Sequence, residues 1–440
     1  MLFLPALGLM AYGVVMVFSA SCPTAALSPI CNFDPYFFLK RHVLWLLIGF
    51  VAMIFAYKID LKKWRKYSLI IILITLALLF TVLIFGETTL GATRRLKLGP
   101  ITFQPSEFAK IALVFFLADA LARRRNQVRN FKKLLSVLVI FAIVGFLIEK
   151  QPDLGTTIVV GSTTLAMLFL AGANIFHLIG MTLVGLLVAV SRILDEPYRI
   201  RRILAFLNPW EDSAGMGYQN IQSYIALGSG GLYGVGLGES RQKFFYLPEK
   251  FTDFIFAITG EELGFYYGTL PIVILFILFL VLGFRIAMKT RDPFMSLLAG
   301  GITFMITFQA FINMGVVSGI LPCTGITLPF ISFGGSSLVF TLFSLGMLLN
   351  IAGQPKKKGN KLKQLEKRRP RFGPRESAEH DSIVIEKAEN FFDSGEIESG
   401  EIDSEEIENV GALSKGEEPG GKQCESSSQE EEPEDTYTPQ

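Results

Sequence analysis

The stretch LPEKFTDFIFAITGEELGF, from Leu247 to Phe265, mixes residues that suit a membrane helix with four acids, Glu249, Asp253, Glu261 and Glu262. A charged side chain at a helix centre in lipid costs at least about 2.5 kcal/mol, so such residues mark function by default. A second charged set stands in QPSEFAK, where Glu107 and Lys110 are three residues apart. That spacing puts both on one helical face, where they can neutralise each other as a structural pair or together hold a ligand. EKQPD at 149–153 and LPFISFGGSS at 328–337 complete the unusual set.

These residues need a scaffold, and composition names it. The 440-residue chain is 51% hydrophobic and 18% charged, against about 25% charged in soluble domains, so it reads as an integral membrane protein. Ten segments approach the roughly 20 apolar residues that cross a bilayer, at 2–20, 43–57, 68–86, 106–122, 134–148, 154–171, 175–191, 263–284, 294–318 and 328–352. The first has neither a basic leader nor a small-residue cleavage site, so it is expected to be a retained span. The loops at 58–66 and 123–133, the residues after span eight and the stretch 356–375 carry the concentrated Lys and Arg. By the positive-inside rule these are cytoplasmic, which places both termini inside and the long 192–262 segment outside.

Charge divides the chain. Residues 1–375 hold 38 Lys and Arg against 18 Asp and Glu, whereas 376–440 hold 3 against 21. The expected organisation is a ten-span membrane domain at 1–353, a basic juxtamembrane segment at 354–375 and an acidic tail at 376–440. The tail is too acidic and too poor in apolar residues to build a core, and is predicted to be disordered.

Several functions are excluded. Four cysteines and three histidines follow no zinc-site spacing. No P-loop, HExxH or nucleophile-elbow motif appears, and nothing points to nucleic acid. The glycines at 228–238 lack the strand–turn–helix context of a dinucleotide loop. They are expected instead to form a flexible loop that lets backbone approach a large ligand. Cys22 and Cys31, nine residues apart in the first outer loop, could close a disulfide or remain free thiols.

GLGESRQKFFYLPEKFTDFIFAITGEELG, NMGVVSGILPCTGITLPFISFGGSS, GPITFQPSEFAK and QPDLGTT closely resemble the FtsW/RodA/SpoVE (SEDS) family over about residues 5–353. Ser240-Arg241-Gln242-Lys243 and Asn313-Met314-Gly315 look more like its division branch than its elongation branch. The resemblance implies an all-α polytopic fold and polymerisation of lipid II into β-1,4 glycan strands outside the cytoplasmic membrane. It makes the acid of the TDF motif, Asp253, essential. It also implies pairing with a class B penicillin-binding protein and other divisome membrane proteins at the septum of the inner membrane. Two departures stand out: Lys250-Phe251 replaces a frequent Ala/Arg-His, and Phe333 replaces the usual Tyr before Gly-Gly.

That chemistry assigns roles. An acceptor hydroxyl attacking an α-linked sugar pyrophosphate in one inverting displacement needs a base, and Asp253 is the candidate. Glu249 could support it or bind a divalent ion, Mg²⁺ or Mn²⁺; no other cofactor is indicated. The leaving pyrophosphate needs positive charge, for which Lys110, Arg202, Arg241 and Lys243 are nearest by topology. Glu107, Ser240, Ser332, Gly334, Gly335 and Ser336 complete the expected substrate contacts. Glu261 and Glu262 are expected to be structural, paired with a basic residue on another span. A lipid-linked-sugar transporter and a non-catalytic scaffold are the alternatives; a transporter would place its charges near the midplane, whereas these gather at one face.

Overall fold

A computed structural model describes residues 1–354 except 90–91, 99–100, 125–126 and 196. The basic and acidic stretches beyond residue 354 therefore lie outside the described residues. Helices dominate: α1 (Phe3–Leu27), α2 (Phe37–Lys58), α3 (Leu61–Trp64), α4 (Ser68–Phe85), α5 (Pro105–Arg123), α6 (Phe131–Glu149) and α7 (Leu154–Leu170). They are followed by α8 (Ile175–Leu194), α9 (Pro197–Leu207), α10 (Tyr218–Gly230), α11 (Ile255–Gly264), α12 (Leu270–Lys289), α13 (Pro293–Val317) and α14 (Gly335–Gly353). Among the described residues, seven helical stretches are long and apolar enough to cross a membrane. They are α1, α2, α3–α4, α8, α11–α12, α13 and α14. Helices α5, α6 and α7 occupy the other three predicted places at 19, 19 and 17 residues.

Local sequence sets several helix starts. Asp153, Asn174 and Asp292 each accept a hydrogen bond from a backbone N–H of the first turn that follows, at 3.2, 3.0 and 3.0 Å, satisfying donors that a helix cannot satisfy itself. Helix α13 is the most enclosed and α8 the most peripheral of the seven. Helices α2 and α14 lie against each other through glycines, and Asn350 Nδ2 ties them by donating to the Tyr57 and Ile59 carbonyls at 2.6 Å each.

Three features differ from the sequence reading. Residues 87–103 contain a small antiparallel sheet of order β1 (Glu87–Thr89), β2 (Ala92–Leu98) and β3 (Ile101–Phe103). The eighth span begins at Ile255, not near 263, because Glu261 and Glu262 are fully partnered and need not lie outside the helix. The last begins at Gly335, since residues 328–334 form an irregular turn in which Phe330 takes a φ of 66°.

The α2–α14 seam makes a testable contrast. A Cβ on Gly346 would stand 2.2 Å from the Met53 carbonyl oxygen, whereas one on Gly49 would meet the end of the flexible Leu342 side chain at 2.4 Å. Close approach through small residues is how membrane helices pack. Gly346→Ala should therefore lower the thermal unfolding midpoint in detergent clearly more than Gly49→Ala. Equal effects would show that this backbone contact does not hold the seam.

Candidate functional site

Asp253 precedes α11, in a run of turns at the end of the long segment that the sequence places outside the membrane. Glu249 turns the chain with a φ of 48°. Its carbonyl accepts from Thr252 N at 3.2 Å and Phe254 N at 3.1 Å, and its carboxylate from Thr252 Oγ1 at 2.6 Å. The segment is fastened to the 318–334 loop at several points. Asn313 Nδ2 donates to the carbonyls of Asp253 at 2.7 Å and Ile326 at 2.6 Å. Ser332 Oγ donates to the Thr252 carbonyl at 2.5 Å, and Phe333 N to the Phe251 carbonyl at 3.0 Å. One α13 turn before Asn313, Gln309 donates to the Thr327 carbonyl at 3.0 Å and accepts from Lys110 Nζ at 2.6 Å. Lys110 also pairs with Glu107 at 2.9 Å. The predicted ion pair thus forms, and it steadies the loop that faces Asp253.

The carbonyls of Phe251, Thr252 and Asp253 are all hydrogen-bonded, yet among the described residues no hydrogen bond reaches the Asp253 carboxylate. Desolvation dominates its electrostatics and, with the neighbouring Glu249 carboxylate, pushes its pKa up to about 7; Arg95 and Arg94 pull it down, and Asp153 pushes it up. Asp253 nonetheless keeps some accessible surface. Gly325, at a φ of 70°, leaves the space beside it open: a Cβ there would stand 3.6 Å from Asp253 Oδ2. A carboxylate that is desolvated, lightly bonded and reachable can act as a proton acceptor near neutral pH.

The sequence reading assigned no role to the sheet, which supplies cations to this site. Arg94 on β2 donates through Nε to the Gln151 carbonyl at 3.2 Å and through Nη2 to that of Pro152. Its Nη1 lies 3.9 Å from Asp153 Oδ1. Arg95 is exposed beside it. Long-range strand placement hid these two from a reading of spacing alone.

Glu261 and Glu262 are structural, as expected, but their partners lie largely in the preceding loop. Glu261 accepts from Ser240 Oγ at 2.5 Å and Arg241 N at 2.9 Å. Glu262 accepts from Lys243 Nζ at 2.8 Å and, from α1, Ser19 Oγ at 2.7 Å. Ser240 and Lys243 are therefore buried and engaged by protein groups, while the Arg241 side chain is exposed.

The glycines at 228–238 have a different use from the one expected. Helix α11 breaks at Gly264 (φ 72°), and a π-helical turn at Phe265–Thr269 leads into α12. The 231–236 segment fills the break: Val235 N and Gly236 N donate to the Glu261 and Glu262 carbonyls, and Phe265 N and Tyr266 N to those of Gly231 and Leu232, all at 3.0 Å. A Cβ on Gly234 would stand 2.3 Å from the Glu262 carbonyl oxygen. The close approach is to α11, which lets a broken membrane helix satisfy its backbone.

Elsewhere Ser336 Oγ donates to the Thr102 carbonyl at 3.0 Å and accepts from Gln104 N at 3.3 Å, joining the start of α14 to β3 and α5. Gly335 packs against Trp45, where a Cβ would approach the ring to 2.4 Å; Gly334 has room. Arg202 on α9 donates to the Cys323 carbonyl at 3.4 Å. The two departures at Phe251 and Phe333 meet, with ring centroids 5.8 Å apart, and Phe38 of α2 packs on both at 4.8 and 5.5 Å. Beside them Lys250 is buried, with its pKa pushed down to about 8 by desolvation. Its ammonium lies over the Phe245 ring and donates to the Lys243 carbonyl. Cys22, Cys31 and Cys323 are free thiols. Among the described residues no cluster of three or more His, Cys, Asp or Glu is arranged to hold a metal.

The family model for FtsW/RodA/SpoVE cell cycle proteins matches residues 1–357. This chain belongs to that family. It is 44% identical over 354 residues to the probable peptidoglycan glycosyltransferase FtsW of Geobacter sulfurreducens, covering 80% of this chain and 94% of that protein. It is 46% identical over 347 residues to stage V sporulation protein E of Bacillus subtilis, covering 78% and 94%. Among solved structures it is similar to a chain of a peptidoglycan synthase complex, described for its coordination of polymerization and crosslinking, with a TM-score of 0.66, 31% identity and coverage of 80% and 96%. It is also similar to the rod shape determining protein RodA of Thermus thermophilus, with a TM-score of 0.59, 28% identity and coverage of 80% and 95%. The SEDS chain described here is thus an all-α integral membrane protein.

The Lys243–Glu262 pair generates a prediction. Removing one partner of a buried pair leaves an uncompensated charge and costs about 3–5 kcal/mol, whereas removing both can be nearly neutral. Glu262→Gln and Lys243→Met should each destabilise the purified protein more than the double variant does, read as thermal midpoints. A double variant no more stable than the worse single variant would show that the two charges do not compensate each other.

Proposed function

We propose that this protein is a peptidoglycan glycosyltransferase that polymerises lipid II on the outer face of the cytoplasmic membrane. The single observation that carries this reading is Asp253: a reachable carboxylate, raised to about 7 and free of hydrogen bonds from the described residues, on a backbone fixed from two sides. The acceptor hydroxyl attacks the anomeric carbon of the donor sugar, Asp253 takes its proton, and the bond to the undecaprenyl pyrophosphate breaks with inversion. Proton removal by such a base contributes about 10²–10⁴ in rate.

The leaving group needs cations that are not already engaged. Lys110 and Lys243 are neutralised by Glu107 and Glu262, so we assign them to holding the site together. Arg95, whose charge acts on Asp253 and whose side chain is exposed, and the exposed Arg241 take the pyrophosphate, while Arg94 is held by the Gln151 and Pro152 carbonyls and by Asp153. Glu249 raises the basicity of Asp253 as a neighbouring like charge. Ser332 holds the Asp253 segment, and Ser336 with Gly334 and Gly335 shapes the approach to it. Both termini face the cytoplasm in this reading. The protein works at the division septum with a class B penicillin-binding protein, a pairing supported by its similarity to a chain of a peptidoglycan synthase complex.

The proposal fixes a pH dependence. A base must be ionised to accept a proton, so activity is lost as pH falls through its folded-state pKa. The polymerisation rate, read as the glycan ladder formed from labelled lipid II, should fall about tenfold per pH unit below about 7 and level off above it. Asp253→Asn should insert normally and lose at least about a hundredfold. A stably folded Asp253→Asn variant that still extends glycan would remove the base from this role.

A further inference from the structure

A polar cavity of about 190 Å³ adjoins the Asp253 loop, lined by Tyr198 and Arg202 of α9, by Gln219 and Asn220 of α10, and by Pro248 and Cys323 among others. Its position ties it to the site. Pro248 precedes Glu249 in the chain, and Cys323 lies two residues before the Gly325 that faces the Asp253 carboxylate. Burial pushes the Cys323 thiol up, while the charges of Arg202 and Asp253 act on it in opposite directions, so all three share one electrostatic neighbourhood.

The lining has a definite chemistry. Arg202 is its one charged side chain, stacked 4.8 Å from the Tyr198 ring centroid and making a single 3.4 Å hydrogen bond to the Cys323 carbonyl among the described residues. A guanidinium has five donors in a fork that fits a carboxylate, so most of its capacity is left for a ligand. Two carboxamides and two tyrosines, Tyr198 and Tyr218, surround it. One cation among amides and aromatic rings suits one carboxylate of a peptide whose amides the carboxamides can meet. A pyrophosphate would call for several cations, whereas Arg202 stands alone in this lining.

We propose that this cavity is a subsite for the peptide of the lipid-linked substrate, with Arg202 receiving a peptide carboxylate and Gln219 a peptide amide. The proposal rests on the polymerase reading for the identity of the substrate, but its test reads binding and not turnover. The full chain in detergent is titrated with lipid II and with the same lipid-linked disaccharide bearing a peptide shortened to one residue and capped as its amide, which carries no peptide carboxylate. The wild type should bind the full-length peptide form about tenfold more tightly, as for one lost hydrogen bond to a charged group. Arg202→Gln should abolish that difference while leaving affinity for the shortened form unchanged. Gln219→Ala, which keeps the Arg202 contacts intact, should reduce the difference about threefold. Equal weakening of both forms by Arg202→Gln would assign Arg202 to the pyrophosphate or to the fold and overturn the proposal. So would a wild type that does not distinguish the two lipids. A polymerase assay on the same preparations tests the parent reading separately.

Discussion

The cost of an uncompensated carboxylate inside a helical bundle organises this protein. Glu107 meets Lys110, and Glu262 meets Lys243 and Ser19. At the far end of α5, Asp119 takes Arg65 at 2.6 Å, Ser68 at 2.6 Å and Arg123 at 2.8 Å. Asp153 caps α7 and receives Thr156 Oγ1 at 2.9 Å. Glu262 and Asp119 fasten elements distant in sequence, and Glu107 and Asp153 are satisfied within or beside their own helices, because low dielectric makes a satisfied pair directional and an unsatisfied one expensive. Among the described residues Asp253 is the exception, and the Glu107–Lys110 pair, through Gln309, converges with the Asn313 and Ser332 hydrogen bonds on the two loops that carry and face it.

That convergence explains why so many polar residues surround one acid without bonding to it. Asn313, Ser332 and Gln309 spend their donors on main-chain carbonyls of the two loops, not on the carboxylate. The loops are thereby held while the reactive group keeps its lone pairs for a substrate. Preorganisation of this kind places the reacting groups before substrate arrives. The aromatic contact of Phe38, Phe251 and Phe333 adds an apolar fastening between α2 and the same two loops. The two family departures are therefore matched in space: a polar position lost on one loop meets one lost on the other.

Much of this was legible in the sequence. Hydropathy located ten helical segments, the i,i+3 spacing identified the Glu107–Lys110 pair, and the TDF stretch singled out Asp253. What was not legible depends on tertiary partners. Nothing local shows that Glu261 and Glu262 are satisfied by Ser240, the Arg241 amide, Lys243 and Ser19, so hydropathy puts the helix start too late. The glycines at 228–238 looked like room for a ligand because a helix broken at Gly264, 26 residues beyond the last of them, cannot be foreseen from their spacing. Arg94 and Arg95 stand in a strand whose pairing partners are only three residues long each, too short to show a period, and their action on Asp253 comes from the fold. The basic and acidic stretches were read from charge alone and lie beyond the described residues.

The central claim is that the fold leaves Asp253 desolvated and unbonded, so that its carboxyl holds a proton far above the ordinary aspartate range. Infrared difference spectroscopy of the purified protein with isotope-labelled aspartate, wild type minus Asp253→Asn, reads that carboxyl directly across a pH titration. The account predicts a protonated carboxyl band that disappears with a midpoint near 7. A midpoint near 4, where an unperturbed aspartate titrates, would contradict it.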